Sequence, residues 1–145
     1  MHVVIRADGG PEIGYGHLVR TGALTSELLE DGLNITFATT TLPHVGEVYP
    51  DGIGTETLPT RGLPTLVREF VRDHADVTVT DSSLVDGAYQ LQLRDVSPLV
   101  AITDDTQYAI AADVHIGSDL NGPHLDLVIS CVLSISLSYF ISISN

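Results

Sequence analysis

A doubly wound parallel α/β sheet is the fold class this sequence predicts, and three observations predict it. Short apolar runs recur along the chain, among them Val3-Val4-Ile5, Val77-Thr78-Val79 and Leu99-Val100-Ala101-Ile102. Each run ends in polar residues, as a buried parallel strand does when it reaches the edge of its sheet. Segments with helical spacing of apolar residues lie between the runs, and that alternation argues for parallel strands with helical crossovers. With 145 residues, 43% of them hydrophobic, the chain suits one domain with a packed core.

Taken in order, His2–Arg6 is the first strand. Leu18, Leu24, Leu28 and Leu29 then recur at near-helical spacing, and Gly32 stands where a helix C-cap belongs. Asn34–Thr39 is the second strand, so residues 2–39 form one βαβ unit with an expected right-handed crossover. Residues 40–63 are rich in proline and glycine and yield only a short strand at Glu56–Leu58. A helix is predicted from Pro64, near N1, to His74, with Leu66, Val67, Phe70 and Val71 as its buried stripe. Asp76–Thr80 is a strand that carries Asp81 to the same carboxyl edge as Asp8. Asp86 to Asp95 is a helix, Leu99–Thr103 a strand that delivers Asp104 and Asp105, and Asp113–Ile116 a last short strand.

The charge balance narrows the partners. Nineteen acidic residues face six basic ones, all six arginine, for a net charge of −13. Nucleic acid and anionic membrane surfaces are therefore poor partners. The complete absence of lysine, with this acidity, reads as adaptation to a high-salt cytoplasm, where salt screens self-repulsion. The single cysteine, Cys131, cannot form an internal disulfide and suits a reducing compartment. The N-terminal apolar run is too short for a signal peptide, and no apolar run is long enough for a membrane span. A cytoplasmic location is expected.

The chemistry concentrates in residues 5–20, Ile-Arg-Ala-Asp-Gly-Gly-Pro-Glu-Ile-Gly-Tyr-Gly-His-Leu-Val-Arg, where the first strand hands over to the first helix. Ligands of open α/β sheets bind outside the carboxyl ends of the strands, and helix N-termini there favour anions. Gly14-Tyr15-Gly16-His17 begins like a dinucleotide fingerprint, but Val19 stands where its third glycine would be. His17 lies close to the helix start, where the dipole favours a neutral ring that can act as a base. Arg6 and Arg20 suit either a substrate phosphate or carboxylate, or neutralisation of Asp8, Glu12 or Asp81. Asp8, Asp81, Asp104 and Asp105 suit sugar hydroxyls, the orientation of a histidine, or helix capping, with capping a serious rival at Asp81. No histidine or further carboxylate has metal-ligand spacing around Asp104-Asp105, so neither a metal nor any other cofactor is expected. His2, His44, His74, His115 and His124 have no assigned role.

These residues resemble a known family. Ile5-Arg6-Ala7-Asp8, the turn Glu12-Ile13-Gly14-Tyr15-Gly16-His17 and Arg20 are similar to the opening motif of the UDP-2,4-diacetamido-2,4,6-trideoxy-β-L-altropyranose hydrolases of pseudaminic acid biosynthesis. Spore-coat polysaccharide proteins related to them share the motif. Val79-Thr80-Asp81-Ser82, Tyr89-Gln90, Leu93-Arg94, Ile102-Thr103-Asp104-Asp105 and Ala112-Asp113 extend the similarity to about residue 122. The resemblance implies the Rossmann-like N-terminal half of a B-type glycosyltransferase-like fold, cleaving UDP from the sugar by attack of water at the anomeric carbon, without a metal. It implies that His17 is the base or orients the water, that Gly14 and Gly16 shape the turn, and that Asp8 and Asp81 lie in the sugar cleft. Arg6, Tyr15, Arg20 and Asp104 complete the expected substrate-binding set. Ser83 departs from the tyrosine usual in the family, and Gly117-Ser118-Asp119 from its Asn-Gln-Asn, which puts a polar substrate contact in doubt.

Residues 1–126 are thus the expected catalytic domain. Residues 127–145 contain no charge, glycine, proline or histidine. They read as an alternating edge strand or, the favoured reading, as a shifted or prematurely ended frame, because natural edges are usually blunted by charge. The C-terminal domain that holds most of the UDP in the family has no counterpart in these residues, so little turnover is expected from the chain alone. Three functions stay open: a UDP-sugar hydrolase, a glycosyltransferase-like domain acting on a UDP-sugar, and a non-catalytic domain that pairs with a separately encoded C-terminal half.

Overall fold

The computed structural model describes residues 1–40, 55–58, 63–102, 112–116 and 129–134. Among the described residues, six strands form a single sheet in which every pairing is parallel. They are β1 (His2–Ala7), β2 (Asn34–Ala38), β3 (Thr55–Leu58), β4 (Val77–Asp81), β5 (Leu99–Ile102) and β6 (Val114–Ile116). The helices are α1 (Gly16–Glu30), α2 (Pro64–His74) and α3 (Gly87–Arg94). The sheet order is β3-β2-β1-β4-β5-β6. The chain therefore winds outward from β1 to β3, returns to β4 and winds the other way. The doubly wound Rossmann-like fold is observed, and its topological switch point lies between β1 and β4.

Alternation along the strands divides the core in two. Val3, Ile5 and Ala7 of β1 pack on one face with Leu18, Leu24 and Leu28 of α1, Phe37 of β2 and Val79 of β4. Val4 faces the other way and packs with Val67 and Val71 of α2 and Tyr89 and Leu93 of α3. Within the buried face of α1 lie Thr21 and Thr25. Each returns its hydroxyl to the preceding turn, to His17 O at 2.8 Å and Thr21 O at 2.7 Å, so neither buries an unpaired donor. The helix ends where expected. Gly32 has φ +82°, its N–H reaches Leu29 O at 3.0 Å, and Leu33 N reaches Leu28 O at 3.1 Å, the double bond of a Schellman cap.

Two expectations need correction. Leu66 is 44% exposed, so the buried stripe of α2 is narrower than predicted, with Val67 and Val71 inside and Phe70 at its margin. Phe70 instead stacks on His74 at 4.2 Å, which gives that histidine an ordinary packing role. The strand reading of the tail also fails where the tail is described. Residues 129–134 are helical, with Val132 fully buried and Ile129 and Leu133 packed against the α1-side core. Spacing of i, i+3, i+4 gives those three residues one common helical face. Among the described residues no helix is long and apolar enough to cross a membrane.

Candidate functional site

The switch point brings the loop after β1 against the end of β4. Ala7 is in register with Asp81, so both lie on the α1 side of the sheet, while Arg6, in register with Thr80, lies on the other. Between β1 and α1 the chain closes a small loop. Gly10 N donates to Gly14 O at 2.9 Å and Gly14 N to Gly10 O at 2.7 Å. Gly14 has φ +82°, a left-handed conformation that costs other residues strain. Gly9, which sequence reasoning passed over, is also constrained, because a Cβ there would fall 2.5 Å from Leu18 Cγ. Gly16 is not left-handed. It opens α1, and a Cβ on it would sit 3.8 Å from Arg20 Nη1, an ordinary contact. The turn is therefore shaped by Gly14 and Gly9.

His17, in the first turn of α1, meets Asp81. His17 Nδ1 lies 2.6 Å from Asp81 Oδ1. A bare ring nitrogen and a carboxylate oxygen repel at that separation, so Nδ1 carries the proton and donates it to Asp81. Arg20, one turn along α1, grips the same carboxylate twice, Nε to Oδ2 at 3.0 Å and Nη2 to Oδ1 at 2.9 Å. Arg20 Nη2 is also 2.9 Å from His17 Nδ1, but its hydrogen serves Asp81. Asp81 has no exposed surface, whereas the His17 and Arg20 side chains remain 19% and 20% exposed. A buried carboxylate thus fixes the ring through Nδ1 and leaves Nε2 as the imidazole atom available for chemistry. Asp81 is not the N-cap of α1, α2 or α3. That role falls to Asp86, whose Oδ1 accepts from Tyr89 N at 2.9 Å at the start of α3.

On the other face, Arg6 and Asp8 form a second cluster. Arg6 Nη1 donates to Asp8 Oδ2 at 2.6 Å, and Arg6 Nε to the Tyr89 hydroxyl at 3.0 Å. Expected in a sugar cleft, Asp8 is instead fully buried with both oxygens engaged. Oδ1 accepts from Thr39 Oγ1 at 3.0 Å, Thr40 N at 2.7 Å and Thr40 Oγ1 at 2.8 Å, while the Ser82 hydroxyl donates to Oδ2. Burial alone would push the Asp8 carboxyl up, but the Arg6 guanidinium and the Ser82 and Thr40 hydrogen bonds outweigh it and hold the carboxyl below its ordinary value. The Tyr89 phenol moves the other way: burial raises it, against the opposing pull of Arg6.

In the structure Arg6 pairs with Asp8, and Arg20 pairs with Asp81. Tyr15 is the N-cap residue of α1 and packs partly buried against the core. Asp104, Asp105 and Gly117-Ser118-Asp119 lie outside the described residues. Among the described residues no group of three or more His, Cys, Asp or Glu could hold a metal ion. Sequence reading missed Thr39, Thr40 and Tyr89 as partners of the Arg6–Asp8 pair. No local spacing signals them, because the Arg6–Tyr89 bond spans 83 positions.

No family model and no curated protein matches the chain. Among solved structures it is similar to the glycosyltransferase GlyE of Streptococcus pneumoniae TIGR4, at 15% identity and a TM-score of 0.55, over 92% of this chain and 32% of that one. The chain thus spans about a third of that structure's length. At this identity the likeness is one of fold: a Rossmann-like α/β domain of the kind found in a glycosyltransferase.

Proposed function

We propose that the domain forms one wall of a nucleotide-sugar cleft and contributes the base that activates water against a UDP-linked diacetamido-trideoxy sugar. The observation that carries this reading is the His17 Nδ1–Asp81 Oδ1 contact of 2.6 Å at the carboxyl edge of the sheet, beside the switch point. A histidine held through Nδ1 by a buried carboxylate has its Nε2 oriented to take a proton, and the carboxylate stabilises the imidazolium that forms. In the proposed step the water oxygen bonds to the anomeric carbon, its proton passes to His17 Nε2, and the bond from that carbon to the phosphate oxygen breaks to release UDP. Asp81 and Arg20 are positioning residues, Asp81 for the ring and Arg20 for Asp81. The rest of the nucleotide is held by a UDP-binding domain, which a separately encoded partner would be able to supply.

The glycosyltransferase neighbour favours a second reading, in which the sugar passes to an acceptor hydroxyl. Mass analysis of the product separates the two, since hydrolysis gives the free sugar and transfer a glycoside. The test of the first reading is UDP release by the chain and by His17→Asn. Turnover with one wall alone is expected to be slow, so the ratio is what matters. A fall of about 10²–10⁴-fold is expected for loss of a positioned base. Release that persists in His17→Asn at the parent rate would sink the assignment.

A further inference from the structure

The face of the sheet opposite His17 carries a cavity of about 430 Å³ between the starts of α2 and α3, within the range of small-ligand sites. Two groups of opposite charge line it, Arg6 from β1 and Asp86 from the start of α3. Arg6 is only 1% exposed, and its Nε and Nη1 are committed to Tyr89, Asp8 and the Ala7 and Ala38 carbonyls. Its Nη2 takes no partner among the described residues. Every fully buried side-chain nitrogen and oxygen among them is paired, so the last sliver of Arg6 surface is Nη2 reaching the cavity. Asp86 is exposed, and only its Oδ1 is used, in capping Tyr89 N, which leaves Oδ2 unpaired. The start of α2 has no side-chain cap, and the cap of α3 serves Tyr89 N, so the Gly87 and Ala88 N–H groups have no intrahelical partner.

From this set we infer that the cavity binds an aliphatic α-amino acid as its zwitterion. The carboxylate accepts from Arg6 Nη2 and sits against the two helix starts, whose N–H groups and dipoles favour negative charge. The ammonium donates to Asp86 Oδ2. The side chain lies on Leu84, 52% exposed, and on Pro64, both in the cavity wall. Charge selects this class over its rivals. A simple anion gains at Arg6 and the helix starts but meets Asp86, a carboxylate of the same lining. A simple cation gains at Asp86 and meets the guanidinium and the positive helix ends. An uncharged ligand leaves both charges without a counter-charge, and a wholly apolar one strips water from both. The inference does not rest on the hydrolytic reading, because it concerns binding on the other face of the sheet from His17.

The experiment titrates the ¹⁵N-labelled chain to tens of millimolar with L-leucine and, separately, with isocaproate, isoamylamine and inorganic phosphate, following the amides of Gly87, Ala88 and Gln92. The expected result is saturable binding of L-leucine with a roughly millimolar constant. Isocaproate is leucine without its ammonium, and isoamylamine is leucine without its carboxylate. Each should bind about tenfold more weakly or worse, and phosphate should not saturate. Asp86→Asn keeps a good capping residue and removes the charge. It should weaken L-leucine about tenfold and leave isocaproate unchanged or tighter, a pattern that loss of packing does not produce. Ala88→Phe, at an exposed helical position that also lines the cavity, should weaken L-leucine by about tenfold or more by filling the space. Arg6 is left in place, because its removal strands Asp8 as a buried, uncompensated charge. Absence of saturation by L-leucine overturns the inference. So does isocaproate, isoamylamine or phosphate binding as tightly as L-leucine at the same amides, or an L-leucine affinity untouched by both Asp86→Asn and Ala88→Phe.

Discussion

Asp8 and Asp81 stand at the ends of neighbouring strands, each gripped by an arginine, yet they are put to opposite uses. Around Asp8 the side-chain partners are spent inward except for Thr40, which is exposed: Arg6 is 1% exposed, and Thr39 and Ser82 are buried with it. Around Asp81 the carboxylate is equally buried, but the groups it holds, His17 and Arg20, keep about a fifth of their side chains in solvent. Both carboxylates anchor the switch point. Only the second presents a titratable ring outward. What differs is the exposure of what each carboxylate holds, since the carboxylates themselves are alike in residue type, strand position and burial.

The largest expected effect tests that contrast directly. Asp8→Ala leaves a fully buried guanidinium without its counter-charge and should cost about 3–5 kcal/mol of stability. Asp81→Asn leaves His17 and Arg20 partly hydrated, and its cost should be smaller, about 1.5–3 kcal/mol, the scale of hydrogen bonds to charged groups. Urea denaturation of both variants measures the difference. In UDP release, by contrast, Asp81→Asn should approach His17→Asn, because the ring loses the carboxylate that fixes its tautomer. Equal destabilisation by the two substitutions would break the comparison.

Acid gives a smaller version of the same contrast. The folded Asp8 carboxyl lies below its ordinary value, so as the pH falls the unfolded chain takes up that proton first, near pH ~4, and unfolding is favoured. Stability from Asp8 is thus present above that pH and lost progressively below it. Asp8→Asn should remove this contribution and flatten the acid limb of a stability-versus-pH curve relative to the parent. If the two curves keep the same slope below pH ~4, the buried pair is not what acid attacks.

The strand edges were legible because apolar runs end where the sheet ends, and the β1–α1 turn was legible because glycine, histidine and arginine cluster there. What could not be read was the sorting of Arg6 and Arg20 between two carboxylates. That depends on which face of β1 each group occupies and on partners such as Tyr89, 83 positions away. Nor did apolar spacing reveal the full buried face of α1. Thr21 and Thr25 look polar in sequence, yet they enter the core by bonding their own helix. The tail misled for a related reason. Its Ser/Ile alternation suggested a strand, while Ile129, Val132 and Leu133 already carried the helical spacing seen at 129–134.

The smallest effects concern the loop that joins the two clusters, with Asp8 before it and His17 after it. Gly14→Ala forces a Cβ into a left-handed position and should cost about 1–2 kcal/mol. Gly16→Ala meets only an ordinary 3.8 Å contact with Arg20 Nη1 and replaces a helical glycine, so it should be neutral or stabilise by up to about 1 kcal/mol. Thermal or urea unfolding of the pair reads these opposite signs. The Asp8 cluster is tied by its own bonds to Thr39, Thr40 and Ser82, so a strained loop should disturb His17 far more than Asp8. The acid limb of Gly14→Ala should accordingly match the parent's, while the histidine ring resonances of His17 shift. A changed acid limb in Gly14→Ala would mean that the loop carries strain into both clusters and that they are one unit.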